Sequence, residues 1–373
     1  MKRRLVVLAA AALALAAPAL GALPQVHARA YLVADGQSGQ VLAHYRERAR
    51  VPIASLTKLM TVLLAVERTR LGNVVTVAPG AASVGESSVN LRAGEKITVR
   101  DLIEAALIQS ANDAADALAY HIGRGSEGRF VAMMNTRARQ LGLTDTHYVR
   151  PDGLDAPGHV SSARDVTKLA RLLMRRPVIR SIVRRRRETI AGGRVLHTWN
   201  DLLATFPGVI GVKTGHTSAA GWNEAAAVDR GGIAIYGTIL GSPDRSTRNA
   251  ELAALLRWGL SRYRRIPVIR ADRVYARVEV GYGRDAVGLV TRARVMRAVR
   301  IDRALVEKVV SKAVAPLPVL RGQPLGEIRV YQGTRLVGRE TLVAERSVSR
   351  PGVLGRTGFY ARRTVSHMWG WVS

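Results

Sequence analysis

Apolar residues recur at helical spacing in a few bounded stretches of the first half of the chain. From Pro52 to about Thr69, the positions Leu56, Leu59, Met60, Leu63, Leu64 and Val66 fall three or four residues apart, as one buried helix face requires. Pro52 suits a place just outside that helix or in its first turn, which puts Ser55 near the helix N-terminus. Thr98-Val99-Arg100-Asp101 has the form of a capping box with Asp in place of Glu; it opens the apolar helix DLIEAALIQ, expected to stop at Ser110. Asn112 and Asp113 then suit a cap for a further helix, AADALAYHIG.

Elsewhere the period falls to two. AYLVADGQSGQVL, Ala30 to Leu42, reads as two alternating strands about a Gly/Ser turn. From Val209, GVIGVKTG, WNEAAAV and IAIYGTILG predict an antiparallel meander turning at 229–232, with Lys213-Thr214-Gly215 on its edge-like first strand. Helical pattern returns from Glu251 to Tyr263. Past Pro267 the runs RVYARVEV, RARVMRAVRI, GEIRVYQG and RLVGRETLVA, divided by Gly and Pro turns, predict a second, all-β domain. The expected organisation is therefore 1–28 as a leader, 29–264 as an α/β (α+β) domain with an antiparallel sheet flanked by helices, 265–346 as a smaller β-rich domain, and 347–373 as a tail.

Composition sharpens the first segment. Lys2, Arg3 and Arg4 precede an apolar run from Leu5 to Ala17 and then small residues, the layout of a secretory signal cleaved after Ala19, Gly21 or Ala28. The run is shorter than the roughly 20 residues that span a bilayer as a helix. Export permits disulfides, yet the chain has no cysteine, which removes thiol catalysis and Cys-zinc sites. A net charge of +29 favours anionic surfaces, but the arginines are spread along the chain, with RRRRE at Arg184 to Glu188 the one long run, and no nucleic-acid partner is expected.

Only seven of the 57 basic residues are lysine, so each lysine invites the question why arginine was not used. An ammonium can lose its proton when buried; a guanidinium cannot. Ser55 and Lys58, three positions apart on a helix, share a face. Serine needs a base to become a nucleophile, and a desolvated lysine can be that base. Free N–H groups at the helix start can stabilise an oxyanion. Ser-x-x-Lys alone also describes a capping serine beside a solvent-reaching lysine. Here it is followed in order by Ser110-Ala111-Asn112 and Lys213-Thr214-Gly215, the combination found in penicillin-binding proteins and β-lactamases. Ser88-Val89-Asn90 shows that the middle element alone is common.

Through ASLTKLMT, DLIEAALIQSANDAADALA, MNTRARQLGLTDTHYVRPDGLD, SSARDVTKLARLL, NDLLATFPGVIGVKTGHTSAAGW and LLRWGL, the chain resembles the low-molecular-mass penicillin-binding proteins, serine D-alanyl-D-alanine carboxypeptidases of peptidase family S11. The resemblance covers roughly 29 to 262, and APLPVLRGQPLGEIRV looks like the family's accessory domain. It implies a penicillin-binding/β-lactamase-like catalytic domain, no cofactor and no metal. It also implies removal of the terminal D-alanine from peptidoglycan stem peptides, with β-lactams as covalent inhibitors. By position, Ser55 would be the acylated nucleophile and Lys58 its base. Ser110 would relay a proton to the leaving nitrogen, and Asn112 would hold the substrate amide. Lys213, Thr214, Gly215 and Thr217 would receive the substrate carboxylate, and the N–H groups of Ser55 and His216 would form the oxyanion hole. Arg248 is a further carboxylate candidate, with Arg245 a competitor. Ala111 replaces the family's usual glycine.

Three other features invite chemistry. His216 could suggest a triad, but a Ser-Lys pair already supplies nucleophile and base. Asp152 and His159 are expected to be surface-loop residues rather than metal ligands. In the tail, Ala361, Val365, Met368, Trp369 and Val372 form one helical stripe beside Arg362 and Arg363, as in helices lying on a membrane surface. An exported protein on the periplasmic or extracytoplasmic face of the cytoplasmic membrane is the expectation. A β-lactamase would need a deacylating base, and no Glu-x-x-x-Asn lies between Ser110 and Lys213. A D,D-endopeptidase on the same fold, or a non-catalytic wall- or membrane-binding protein, are the remaining alternatives.

Overall fold

A computed structural model of the chain describes residues 21–271, 273–282, 284–354, 357 and 359, together with the backbone of 5–8 and 12–13. Residues 21–261 form one compact unit, and Leu5–Leu8 and Ala12–Leu13 belong with the chain from Arg262 onward to the other.

In the first unit a five-stranded antiparallel sheet runs in the order Val41–Tyr45, Ala30–Asp35, Ile233–Ser242, Gly221–Arg230, Val209–Thr217. The N-terminal hairpin pairs Leu32 with His44, and the three later strands form the expected meander, which leaves the strand bearing Lys213-Thr214-Gly215 at the sheet edge. Helices Ala163–Leu173 and Arg245–Ser261 pack on this sheet. The helix Lys58–Arg68 is buried through Ala65 on every side, not on one face, because further helices cover it; Leu59, Met60, Leu63 and Leu64 join one core with Leu102, Ile103, Leu118 and Phe130.

The Thr98 cap forms as the sequence implies. The Thr98 hydroxyl accepts the Asp101 N–H at 3.1 Å and donates to the Asp101 carboxylate at 2.7 Å. The helix Val99–Glu104 then widens into a π-helical turn, Ala105–Gln109, and ends at Ser110 in the left-handed region, φ +67°. In the next helix, Asn112–Ile122, Ala111 occupies the cap position, which corrects one expectation. The Asn112 side chain turns to Lys58 and the Gly85 carbonyl, while the Asp113 carboxylate accepts the Ala114 N–H at 2.9 Å and also reaches beyond the helix. The Asp113 carboxylate accepts the N–H groups of Val89 and Leu91 at 3.1 and 3.0 Å and the Ser88 hydroxyl at 2.6 Å, tying that loop to the helix start.

The second unit is built around β-strands. Leu305–Lys312, Pro324–Gln332, Arg335–Ala344, Val287–Val290 and Ala276–Val280 follow one another in a sheet, with Leu5–Leu8, Ala12–Leu13 and Val314–Ala315 as short additions. Tyr263–Ile269 pairs with Val295–Arg300. Alternating burial in Leu305–Lys312 supplies Leu305 and Val309 to a separate core with Ile269, Val287, Leu289 and Ile328. The segment expected to be a signal lies largely outside the described residues, and so does the tail stripe from Ala361 to Val372. Among the described residues, no helix is long and apolar enough to cross a membrane.

Candidate active site

Ser55 sits in a 3₁₀ turn, Ala54–Thr57, that leads directly into the helix Lys58–Arg68. In 3₁₀ geometry side chains three apart eclipse each other, and the Lys58 ammonium donates to Ser55 Oγ at 2.7 Å. Ala54 enters the turn at φ +49°, an uncommon conformation for a residue with a Cβ, so the surrounding packing must hold it. A Cβ on Gly153, itself at φ +88°, would overlap the Ala54 carbonyl. One on Gly215 would come within 2.9 Å of the Ser55 nitrogen. Both glycines are therefore conditions of this turn.

His159 completes the brace. Its Nδ1 accepts the Val149 N–H at 3.0 Å, leaving Nε2–H to donate to Thr57 Oγ1 at 2.7 Å, and the Thr57 hydroxyl donates in turn to the Ala54 carbonyl at 2.8 Å. Burial pushes the His159 pKa down to about 4, so the ring stays neutral. Asp152 is also buried. Its carboxylate takes two bonds from Arg150, at 3.0 and 2.8 Å, and its backbone carbonyl accepts from Lys58 at 2.6 Å. The expectation of exposed loop residues is thus corrected: Asp152 and His159 are internal supports, 0% and 3% exposed. Among the described residues no cluster could hold a metal ion.

Lys58 is fully buried and has a third acceptor in Asn112 Oδ1 at 2.7 Å. Burial lowers its pKa to about 8, against the opposing pull of Asp152, Asp116, Asp113 and Glu86. At neutral pH roughly a tenth of such a lysine is unprotonated, many times more than for a free one. Lys213, on the edge strand, donates to Ser110 Oγ and to the Thr214 carbonyl, both at 2.8 Å. Its pKa is held far below the lysine range by burial first, then by Lys58. The two lysines therefore hold the two serines, Lys58 with Ser55 and Lys213 with Ser110. Ser55, Ser110, Asn112, Thr214, Gly215, His216, Thr217 and Arg248 all line one cavity of about 240 Å³. The sequence motifs, up to 158 positions apart between Ser55 and Lys213, converge there.

The profile of peptidase S11, D-alanyl-D-alanine carboxypeptidase, matches residues 16–244. The D-alanyl-D-alanine carboxypeptidase DacD of Salmonella typhimurium is 30% identical over 93% of this chain and 94% of its own length. The Escherichia coli DacD is 31% identical over 90% and 91%. Penicillin-binding protein 5 of Haemophilus influenzae has a similar structure, with a TM-score of 0.63, 27% identity and coverage of 88% of this chain and 99% of that one.

The chain belongs to the peptidase S11 family.

The far end of this S11 site carries groups that sequence reading passed over. Trp222 lies against the His216 ring, 4.0 Å between centroids. Trp199 lines the cavity and donates its indole N–H to the Gln109 carbonyl at 2.9 Å. The Thr217 hydroxyl donates to Asp155 at 2.6 Å and accepts the Ala220 N–H at 3.2 Å, so its proton is already engaged within the protein. Arg248 is 1% exposed although it lines the cavity. It bonds Asn249 Oδ1 at 2.6 Å, lies 3.1 Å from the Glu224 carboxylate and 3.5 Å from Asp201. Arg245 grips Asp201 with two bonds, 2.8 and 2.6 Å. The missed signal was legible for Glu224: a carboxylate inside the apolar strand segment WNEAAAV is out of place unless something charged faces it.

Proposed function

We propose that the protein removes the terminal D-alanine from peptidoglycan stem peptides ending in D-Ala-D-Ala through an acyl-Ser55 intermediate. Lys58 accepts the Ser55 proton as Oγ attacks the penultimate carbonyl carbon. The resulting oxyanion lies toward the N–H groups of Ser55 and His216. When the C–N bond breaks, Ser110, hydrogen-bonded to Lys213, gives its proton to the departing D-alanine nitrogen and takes up the one that Lys58 had accepted, which leaves Lys58 neutral again. A water then attacks the ester carbon, giving a proton to Lys58, and Lys58 returns it to Ser55 Oγ as the ester bond breaks. Asn112 presents its amide to the substrate backbone, while Lys213, Thr214, Gly215 and Arg248 serve the terminal carboxylate. Thr217 serves that end by fixing the loop around Asp155 and Ala220.

The observation that carries this reading is the 2.7 Å Ser55–Lys58 contact with the lysine sealed from water and its pKa brought near 8. A β-lactam, whose carbonyl resembles the scissile amide, is attacked by the same serine and remains attached. The full chain incubated with a peptide ending in D-Ala-D-Ala is expected to release one D-alanine per peptide and to become labelled by a fluorescent penicillin. The absence of both release and labelling would overturn the assignment.

Export through the N-terminal segment supports an extracytoplasmic site of action. His27 bonds Glu251 at 2.8 and 2.7 Å and Ala28 is buried, which favours cleavage after Ala19 or Gly21 over cleavage after Ala28. The tail stripe with its arginines supports reversible binding to an anionic membrane surface. Deleting 347–373, or washing membranes with high salt, is expected to move the mature protein into the soluble fraction; an unchanged membrane fraction in the deletion would count against the tail.

A further inference from the structure

Glu224 sits on the strand Gly221–Arg230, opposite Thr214 on one side and Ile239 on the other. It is 0% exposed. Arg248 Nε lies 3.1 Å from its carboxylate, yet neither carboxylate oxygen has a hydrogen bond among the described residues. A buried carboxylate so poorly satisfied is costly, and nothing in the folding of a strand of alanines asks for it. The reason lies in what faces it.

The charge in contact with it is Arg248 of the helix Arg245–Ser261; the other charges that act on it are Arg245 of the same helix, Asp201 from the turn before Leu202, and Lys213, whose partner across the edge strand is the next residue, Ala225, while Ile239 on the fourth side is neutral. Burial raises the Glu224 pKa to about 7, and Arg248 and Lys213 pull it down. Lys213 is in the converse position. Burial, Lys58 and Arg248 all act against its charge, and Glu224 is the carboxylate that favours it. Asp201 cannot replace Glu224, because it is committed to Arg245 and Asn249.

We propose that Glu224 is a positioning residue for terminal-carboxylate recognition, its anion being the buried counter-charge that keeps Lys213 cationic and Arg248 directed at the cavity. This rests on the reading that Lys213 and Arg248 receive that carboxylate. Without Glu224, Lys213 sheds its proton more readily and the carboxylate meets a weaker field.

The test compares acylation of the full chain by benzylpenicillin and by its methyl ester across a pH series. Nucleophile and base act on both probes, so the acid-to-ester rate ratio isolates recognition of the carboxylate. In the parent the ratio is expected to exceed one, to rise as Glu224 ionises around pH 7 and to fall as Lys213 loses its proton, the rise being absent in the Gln variant. In Glu224→Gln, an isosteric change, the neutral-pH ratio is expected to drop at least about tenfold. Its decline should move to lower pH by about one unit, the scale set by loss of a neighbouring opposite charge; any effect of Lys213 on Ser110 acts on both probes and cancels in the ratio. Glu224→Asp keeps the charge and is expected to retain the ratio within about threefold. A folded Gln variant with the parent's ratio and pH dependence, or an Asp variant that loses the ratio as a neutral residue would, overturns the inference. Absence of acylation by either probe in the parent overturns the site reading and the inference with it.

Discussion

Lys58→Arg is expected to reduce acylation by penicillin, and D-alanine release with it, by about 10²- to 10⁴-fold, the usual contribution of a general base. The position is fully buried, and its ammonium already meets Ser55 Oγ, Asn112 Oδ1 and the Asp152 carbonyl. An arginine can keep the charge there. It cannot take the serine proton at any pH near neutrality. The pH dependence gives the sign. In the parent, Lys58 titrates at about 8, so the fraction able to act as base, and the acylation rate, rise as pH increases toward that value. The arginine variant is expected to lose this rise. Lys213→Arg supplies the contrast: its charge is what the carboxylate end needs, so damage there comes from fitting a larger head beside Ser110, and measurable activity should survive. Stopped-flow acylation of both variants decides the matter. A Lys58→Arg protein that acylates at the parent's rate excludes proton transfer by Lys58.

Ser55→Ala is expected to remove covalent labelling altogether and to lower turnover by on the order of 10⁶-fold, as when a serine hydrolase loses its nucleophile. The fold should be preserved. The alanine takes away one of three acceptors from Lys58, while Asn112 and Asp152 retain the other two; the turn itself is held by the Ala54, Thr57 and His159 bonds and by Gly153 and Gly215, none of which uses the Ser55 side chain. Mass spectrometry of the penicillin-treated variant checks this directly. An adduct that still forms at the parent's rate would place the nucleophile elsewhere.

Much of the catalytic apparatus was local enough to read from residue order. Three-residue spacing placed Ser55 beside Lys58, and it holds whether the backbone is α-helical or 3₁₀, as found. The Thr98 cap, the stop at Ser110 and the meander carrying Lys213 follow from periodicity and turn chemistry, which act over a few residues. The family resemblance then ordered these pieces into one site.

What spacing could not decide is the set of buried polar partners joining distant segments. His159 braces Thr57 across 102 positions and Asp152 receives Lys58 across 94; neither sequence neighbourhood distinguishes them from exposed loop residues. Asn112 and Asp113 look like caps because their side chains compete for nearby backbone N–H groups; packing turns Asn112 to Lys58, and Asp113, while holding the Ala114 N–H, also ties down the loop at Val89 to Leu91. Glu224 meets Arg248 because sheet register and helix docking bring them together. Local sequence determined which elements form and which residues could do chemistry. Tertiary packing decided which charges lose water and face one another, because desolvation and Coulomb interaction depend on neighbours in space.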